Sequence, residues 1–133
     1  MRGLKMIIFL MFGLLLLPAC EQRQVSNSSN MLIVDETHYN AGIIHKNNHH
    51  FFQHEFTLLN QGRNPIKIKK VDVSCSCVKT QLSSNTINPS QELTLLVSMD
   101  LSKIHGVFSK TIYVNSDAQN DVLLIRISGR IIE

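Results

Sequence analysis

The segment Ile66-Lys67-Ile68-Lys69-Lys70-Val71-Asp72-Val73-Ser74-Cys75-Ser76-Cys77 decides the fold of this chain. Its apolar and polar residues alternate, the two-residue period of a strand with one buried face. The alternation changes phase once. Ile66 and Ile68 hold one register, Val71 and Val73 the other, and Lys69-Lys70 sits at the change. A one-residue slip turns every later side chain to the opposite face, so a β-bulge or strand break is expected at those lysines. Beyond it Val71, Val73, Cys75 and Cys77 share parity, which puts both cysteines at or near the edge of the core.

The same period runs outward in both directions. Upstream, Met31-Leu32-Ile33-Val34 reads as a first strand, and Phe52, Phe56 and Leu58 mark the inward face of another. Residues 40–48, with Gly42 and paired asparagines, read as a connection, and Asn60-Gln61-Gly62-Arg63-Asn64-Pro65 as a turn. Downstream, Leu93, Leu95, Val97 and Met99 form one inward set. Phe108, Ile112 and Val114 form the next, and Leu123, Ile125, Ile127 and Ile131 the last. Turns fall at Asn88-Pro89-Ser90, at residues 103–106 and at residues 115–120. About seven short strands at this spacing, without a helical pattern, predict an all-β, immunoglobulin-like β-sandwich.

The amino end carries a different kind of pattern. Arg2 and Lys5 precede an apolar run at residues 6–17, too short to cross a bilayer core of about 30 Å. Leu17-Pro18-Ala19-Cys20 follows, and polar residues begin at Glu21. This resembles a bacterial lipoprotein signal, which implies cleavage before Cys20 and a lipid on its sulfur. The expected organisation is a signal peptide at 1–19, a lipidated Cys20 with a Ser- and Asn-rich tether at 20–30, and one sandwich domain at 31–133. The expected location is the bacterial cell envelope, with the domain exported from the cytoplasm and held to a membrane through Cys20. The formal charge of +3 loses Arg2 and Lys5 with the signal, leaving eleven basic residues against ten acidic ones. A near-neutral exported domain gives no electrostatic footprint for nucleic acid.

The ordered set of motifs resembles a known bacterial family, domain of unknown function 1573. The run F-T-L-L-N-Q-G-R-N-P-I-K-I-K-K-V-D-V-S-C-S-C-V, beginning at Phe56, is similar to its N-x-G-x-x-P-L turn leading into S-C-G-C-T. I-N-P-S-Q-E-L resembles its I-x-P-G-E turn, G-V-F-S-K-T-I-Y-V-N-S-D its G-x-F-x-K-x-I-x-V-x-S-N-D segment, and L-I-R-I-S-G-R-I its closing strand. The likeness spans residues 52–132. It implies an immunoglobulin-like sandwich, often exported or lipid-anchored, and no established activity. Ser76 stands where the family has Gly, Val78 where it has Thr, and Ser90 where it has the turn Gly.

With Cys20 assigned to lipid, Cys75 and Cys77 remain as a pair. Residues i and i+2 of an extended strand lie about 6.5–7 Å apart, whereas bridged cysteines want Cβ atoms about 3.8 Å apart. A bridge therefore needs a tight turn and would close almost no loop, making it redox-active rather than a staple. Alternatively, two thiolates on one face could hold a soft ion such as Cu(I), with His50 or His54 as accessory ligands. The third reading is two small buried side chains filling the sandwich edge. The remaining histidines, His38, His45, His49 and His105, fit loop and surface positions.

No G-x-S-x-G elbow, zinc-protease helix or phosphate loop appears, so the expectation is a protein that is not an enzyme and needs no cofactor. The reading is a lipid-anchored envelope module that binds a protein or envelope component. Its candidate surfaces are residues 44–50, residues 75–79 and residues 115–120. The alternative is a handler of Cu(I)-type metal or thiols through Cys75 and Cys77.

Overall fold

A computed structural model describes residues 30–133; the expected signal, Cys20 and the rest of the expected tether through residue 29 lie outside the described residues. Nine strands form two sheets. They are β1 (Leu32–Val34), β2 (His38–His45), β3 (Phe51–Asn60), β4 (Ile66–Val73), β5 (Val78–Leu82), β6 (Thr86–Ile87), β7 (Glu92–Asp100), β8 (Gly106–Ser116) and β9 (Val122–Ile132). One sheet runs β1-β3-β7-β5 and the other β2-β9-β8-β4-β6. Two single turns of 3-10 helix, Lys46–Asn48 and Leu101–Lys103, are the only helical elements among the described residues. The immunoglobulin-like sandwich is therefore present with nine strands rather than about seven.

Alternation builds the core. Phe56, Leu58, Leu93, Leu95, Val97 and Met99 point inward from one sheet. Ile112, Val114, Ile125, Ile127 and Ile131 meet them from the other. Each of these is buried, so a slip in any strand would exchange an apolar face for a polar one. The phase change at Lys69-Lys70 is real: the β4–β8 register shifts between Ile68 and Lys70. Ile66 and Ile68 are buried on one side of that shift, and Val71 and Val73 pack against the core on the other.

The structure corrects the reading of residues 40–48 as a connection. Residues through His45 belong to β2, which runs parallel to β9 along the sandwich edge. Alternation fails there because the strand bulges. Register shifts between Asn40 and Ile43, the Asn40 side chain accepts from Gly42 N–H, and Gly42 takes φ +67°, a conformation glycine adopts without cost. β5 and β6 were likewise not anticipated, being five and two residues long.

The edges of the sandwich are made by chain that changes sheets. β1 pairs with β3 in one sheet, and after three residues the chain crosses to pair β2 with β9 in the other. β5 pairs with β7, and β6 then crosses to β4. These switches divide the molecule into two poles. Asn30 enters at one, where its carbonyl accepts from Gln119 N–H and its side chain from Asn64 N–H. Asn30, read as the last tether residue, is thus bonded into the sandwich. The opposite pole collects the ends of β2 and β9, the start of β3 and both 3-10 turns.

Candidate functional site: the Cys75–Cys77 corner and the pole around it

Four residues connect β4 to β5, and they carry the chain from one sheet to the other. Both shoulders of this corner are pinned. Ser74 N–H donates to the Thr111 carbonyl at 3.0 Å, and Thr111 N–H returns a bond to the Ser74 hydroxyl at 3.0 Å. On the other side, the Cys77 carbonyl accepts from Asp100 N–H at 2.8 Å. Between the shoulders, Val78 N–H donates to the Cys75 carbonyl at 3.1 Å, closing a β-turn.

That turn settles the distance problem posed by a strand. Cys75 and Cys77 have Cα atoms 5.2 Å apart and their sulfurs are joined as a disulfide. The turn also splits two residues of equal parity. Cys77 is 2 % exposed and belongs to the core, whereas Cys75 is half-buried at the surface and Ser76 is exposed. The Cys77 N–H points at the Cys75 sulfur, 3.1 Å away.

Neither histidine proposed as an accessory ligand joins the sulfurs. His54 is half-buried on the inward register of β3, stacked on Tyr39 with ring centroids 3.6 Å apart and edge-on to Phe56 at 4.7 Å. Its Nε2 is hydrogen-bonded to Glu36 Oε1 at 3.0 Å. His50 is exposed ahead of β3, and its carbonyl accepts from Leu101 N–H. Among the described residues no group of three or more His, Cys, Asp and Glu side chains is placed to hold a metal ion. Both sulfurs are in the bridge, and the His54 Nε2 is engaged by Glu36.

The three candidate surfaces separate by pole. Asp100 and Leu101 are adjacent residues bonded to Cys77 and His50 respectively, so residues 44–50 and 75–79 flank one end of β7. Residues 115–120 lie at the other pole and serve the fold. Asn120 clamps Leu32 with two bonds, Asp117 accepts from Lys67 N–H at 2.7 Å, and Ala118 is buried.

Two features were missed by the sequence reading. Asn60 is fully buried and organises the turn at residues 60–65. Its side chain donates to the carbonyls of Asn64 and Ile87 and accepts from Gly62 N–H. Its inward parity with Phe56 and Leu58 is the signal that could have found it. The second is a row across the outer face of the five-stranded sheet. Ile43 on β2 and Val107 on β8 both lie opposite Arg130 of β9, and they are 64 % and 71 % exposed. Ile132 continues the row toward the pole that carries the disulfide. No pattern of period two distinguishes such outward apolar residues from misplaced core.

Two antiparallel-rich sheets packed through an alternating apolar core, with edge strands that switch sheets, define an immunoglobulin-like sandwich. The chain belongs to the family described as Protein of unknown function (DUF1573), which matches residues 32–131. Among solved structures it is similar to a protein of unknown function from Porphyromonas gingivalis W83, with TM-score 0.69 and 11 % identity. That match covers 83 % of this chain and 51 % of the other, so this chain spans about half the length of that relative. PapD-like domain 7 of human CEP192 matches with TM-score 0.60 and 9 % identity, over 84 % of this chain and 92 % of that one. The VesB protease of Vibrio cholerae matches at TM-score 0.57 and 13 % identity, over 78 % of this chain and 32 % of that one. At such identities the likeness is one of fold. Comparison with curated proteins gives no match.

Proposed function

We propose that this chain is a non-enzymatic module of the bacterial cell envelope, tethered to a membrane through lipid on Cys20, that binds a protein or envelope component with its far pole. The observation that carries the reading is the placement of the exposed row Ile43, Val107 and Ile132 at the pole opposite Asn30. A tether entering beside Asn30 joins the domain at the pole opposite that row and leaves the row uncovered by its own attachment. Exposed apolar side chains grouped on one face are what a docking surface offers, with Arg130 among them to orient the partner.

The reading is tested in cells by a photo-crosslinking residue placed at Val107 or, as a control at the tether pole, at Val122. A discrete membrane-fraction adduct from position 107 that disappears with Ile43→Asp is expected. Adducts from position 122 alone, or none from either, would overturn the far-pole assignment. Labelling with radioactive palmitate tests the anchor separately: the label should vanish with Cys20→Ser.

A further inference from the structure

We infer that the Cys75–Cys77 bridge is a thiol–disulfide exchange site that oxidises paired thiols in a second polypeptide. The chemistry needs neither the lipid nor the far-pole partner, so it stands or falls apart from the docking role.

Three observations carry it. The first is that the bridge is not what holds the corner in place. Ser74 is bonded to β8 and Cys77 to β7 through the backbone, and a bridge across a separation of two residues closes almost no loop. It lacks the chain-entropy advantage that makes structural disulfides resist reduction, so transferring its oxidation to another pair of thiols leaves the fold intact. The second is the asymmetry of the two sulfurs. Cys75 is half-buried at the surface and Cys77 lies in the core, so an incoming thiolate meets Cys75. The third is the Cys77 N–H, 3.1 Å from the Cys75 sulfur. It supplies a donor where negative charge develops when Cys75 is expelled.

The exchange then runs in two displacements. A substrate thiolate attacks Cys75 Sγ, the Cys75–Cys77 bond breaks, and Cys77 leaves as the thiolate. The second substrate thiolate attacks the substrate sulfur of the mixed disulfide and expels Cys75. Two electrons pass from substrate to bridge. The substrate ends as a disulfide, and the two protons its thiols release end on Cys75 and Cys77. Because the corner stays pinned to both sheets, Cys77 remains beside the mixed disulfide throughout.

The test uses the full chain carrying Cys20→Ser, so that only the pair can react. The chain is treated with oxidised glutathione, separated from it, and mixed, without oxygen, with a synthetic peptide bearing two reduced cysteines. The expected result is one peptide oxidised per chain, with two new alkylatable thiols appearing in the chain while its β-sheet circular dichroism is unchanged. In the single-thiol variants, Cys75 (with Cys77→Ser) should react with an aromatic disulfide reagent about tenfold faster than Cys77 (with Cys75→Ser). A bridge that survives excess peptide until the chain unfolds overturns the inference. So do two thiols that stay reduced in excess oxidised glutathione, or a Cys77 that reacts as fast as Cys75. The peptide experiment uses the intact pair and decides the matter even where a single-thiol variant fails to fold.

Discussion

Asn60 donates a hydrogen bond from its side chain to the Ile87 carbonyl at 2.9 Å, joining two turns 27 positions apart at a fully buried site. The same amide donates to Asn64 and accepts from Gly62, so one side chain satisfies three backbone groups. Gly62 is part of the arrangement: a Cβ there would lie 2.7 Å from Asn30 Cα. Asn60 and Gly62 thus act together as a packing device.

Replacing Asn60 with Ala leaves those buried groups without partners, at a cost of about 2–4 kcal/mol. For a domain of this size the thermal midpoint should fall by roughly 10–20 °C. Asn60→Asp should fare no better, because it keeps the acceptor for Gly62 but turns oxygen toward two carbonyls. Thermal unfolding followed by circular dichroism checks both; a midpoint within a few degrees of the parent would refute the role.

Ser90 occupies the third position of the turn at residues 88–91 with φ +61°, and Gln91 N–H closes the turn onto the Asn88 carbonyl. A side chain pays a steric penalty there that glycine does not. Ser90→Gly should therefore stabilise the domain by about 0.5–1 kcal/mol, read from the denaturant midpoint at unchanged slope.

Reducing the Cys75–Cys77 bridge should cost about 1.5 kcal/mol at most, since loop-closure entropy for so short a loop is small. The loss should be less than that of Asn60→Ala measured under the same conditions. A larger loss would mean that the bridge is a staple after all.

The Ser102 hydroxyl donates to Asp100 at 2.6 Å and holds its carboxyl below the usual aspartate range, helped by Ser102 N–H and Lys103 and opposed by desolvation. A carboxylate favoured in the folded state contributes stability that is complete above its unfolded value and is lost as pH falls through the lower folded value. Ser102→Ala should move the Asp100 titration, followed by carbon NMR of the carboxyl, toward higher pH. No movement would remove Ser102 as the principal cause.

What was legible in the sequence follows from how far a pattern reaches along the chain. Lys69-Lys70 announced the register shift because the isoleucines and valines on either side record the two phases locally. β2 was illegible because its bulge at Gly42 erases the alternation and its partner, β9, lies far along the chain. The cysteines show a subtler limit. Equal parity placed Cys75 and Cys77 on one face, and a single turn gave one to the core and the other to the surface. The histidines near the start of β3 suggested ligands, yet His54 spends its ring on Tyr39, Phe56 and Glu36.

The sheet switch between β1 and β2 has a mechanical consequence for the proposed tether. Tension applied at the amino end reaches first the bonds of Asn30, then the three paired residues of β1 with the Asn120 clamp on Leu32, and only afterwards the six pairs that β2 makes with β9. Under load the shorter interface yields first, paying out a little chain while the five-stranded sheet stays closed. The first strand would then act as a short strain-relief segment, lengthening the reach of the far pole without unfolding it.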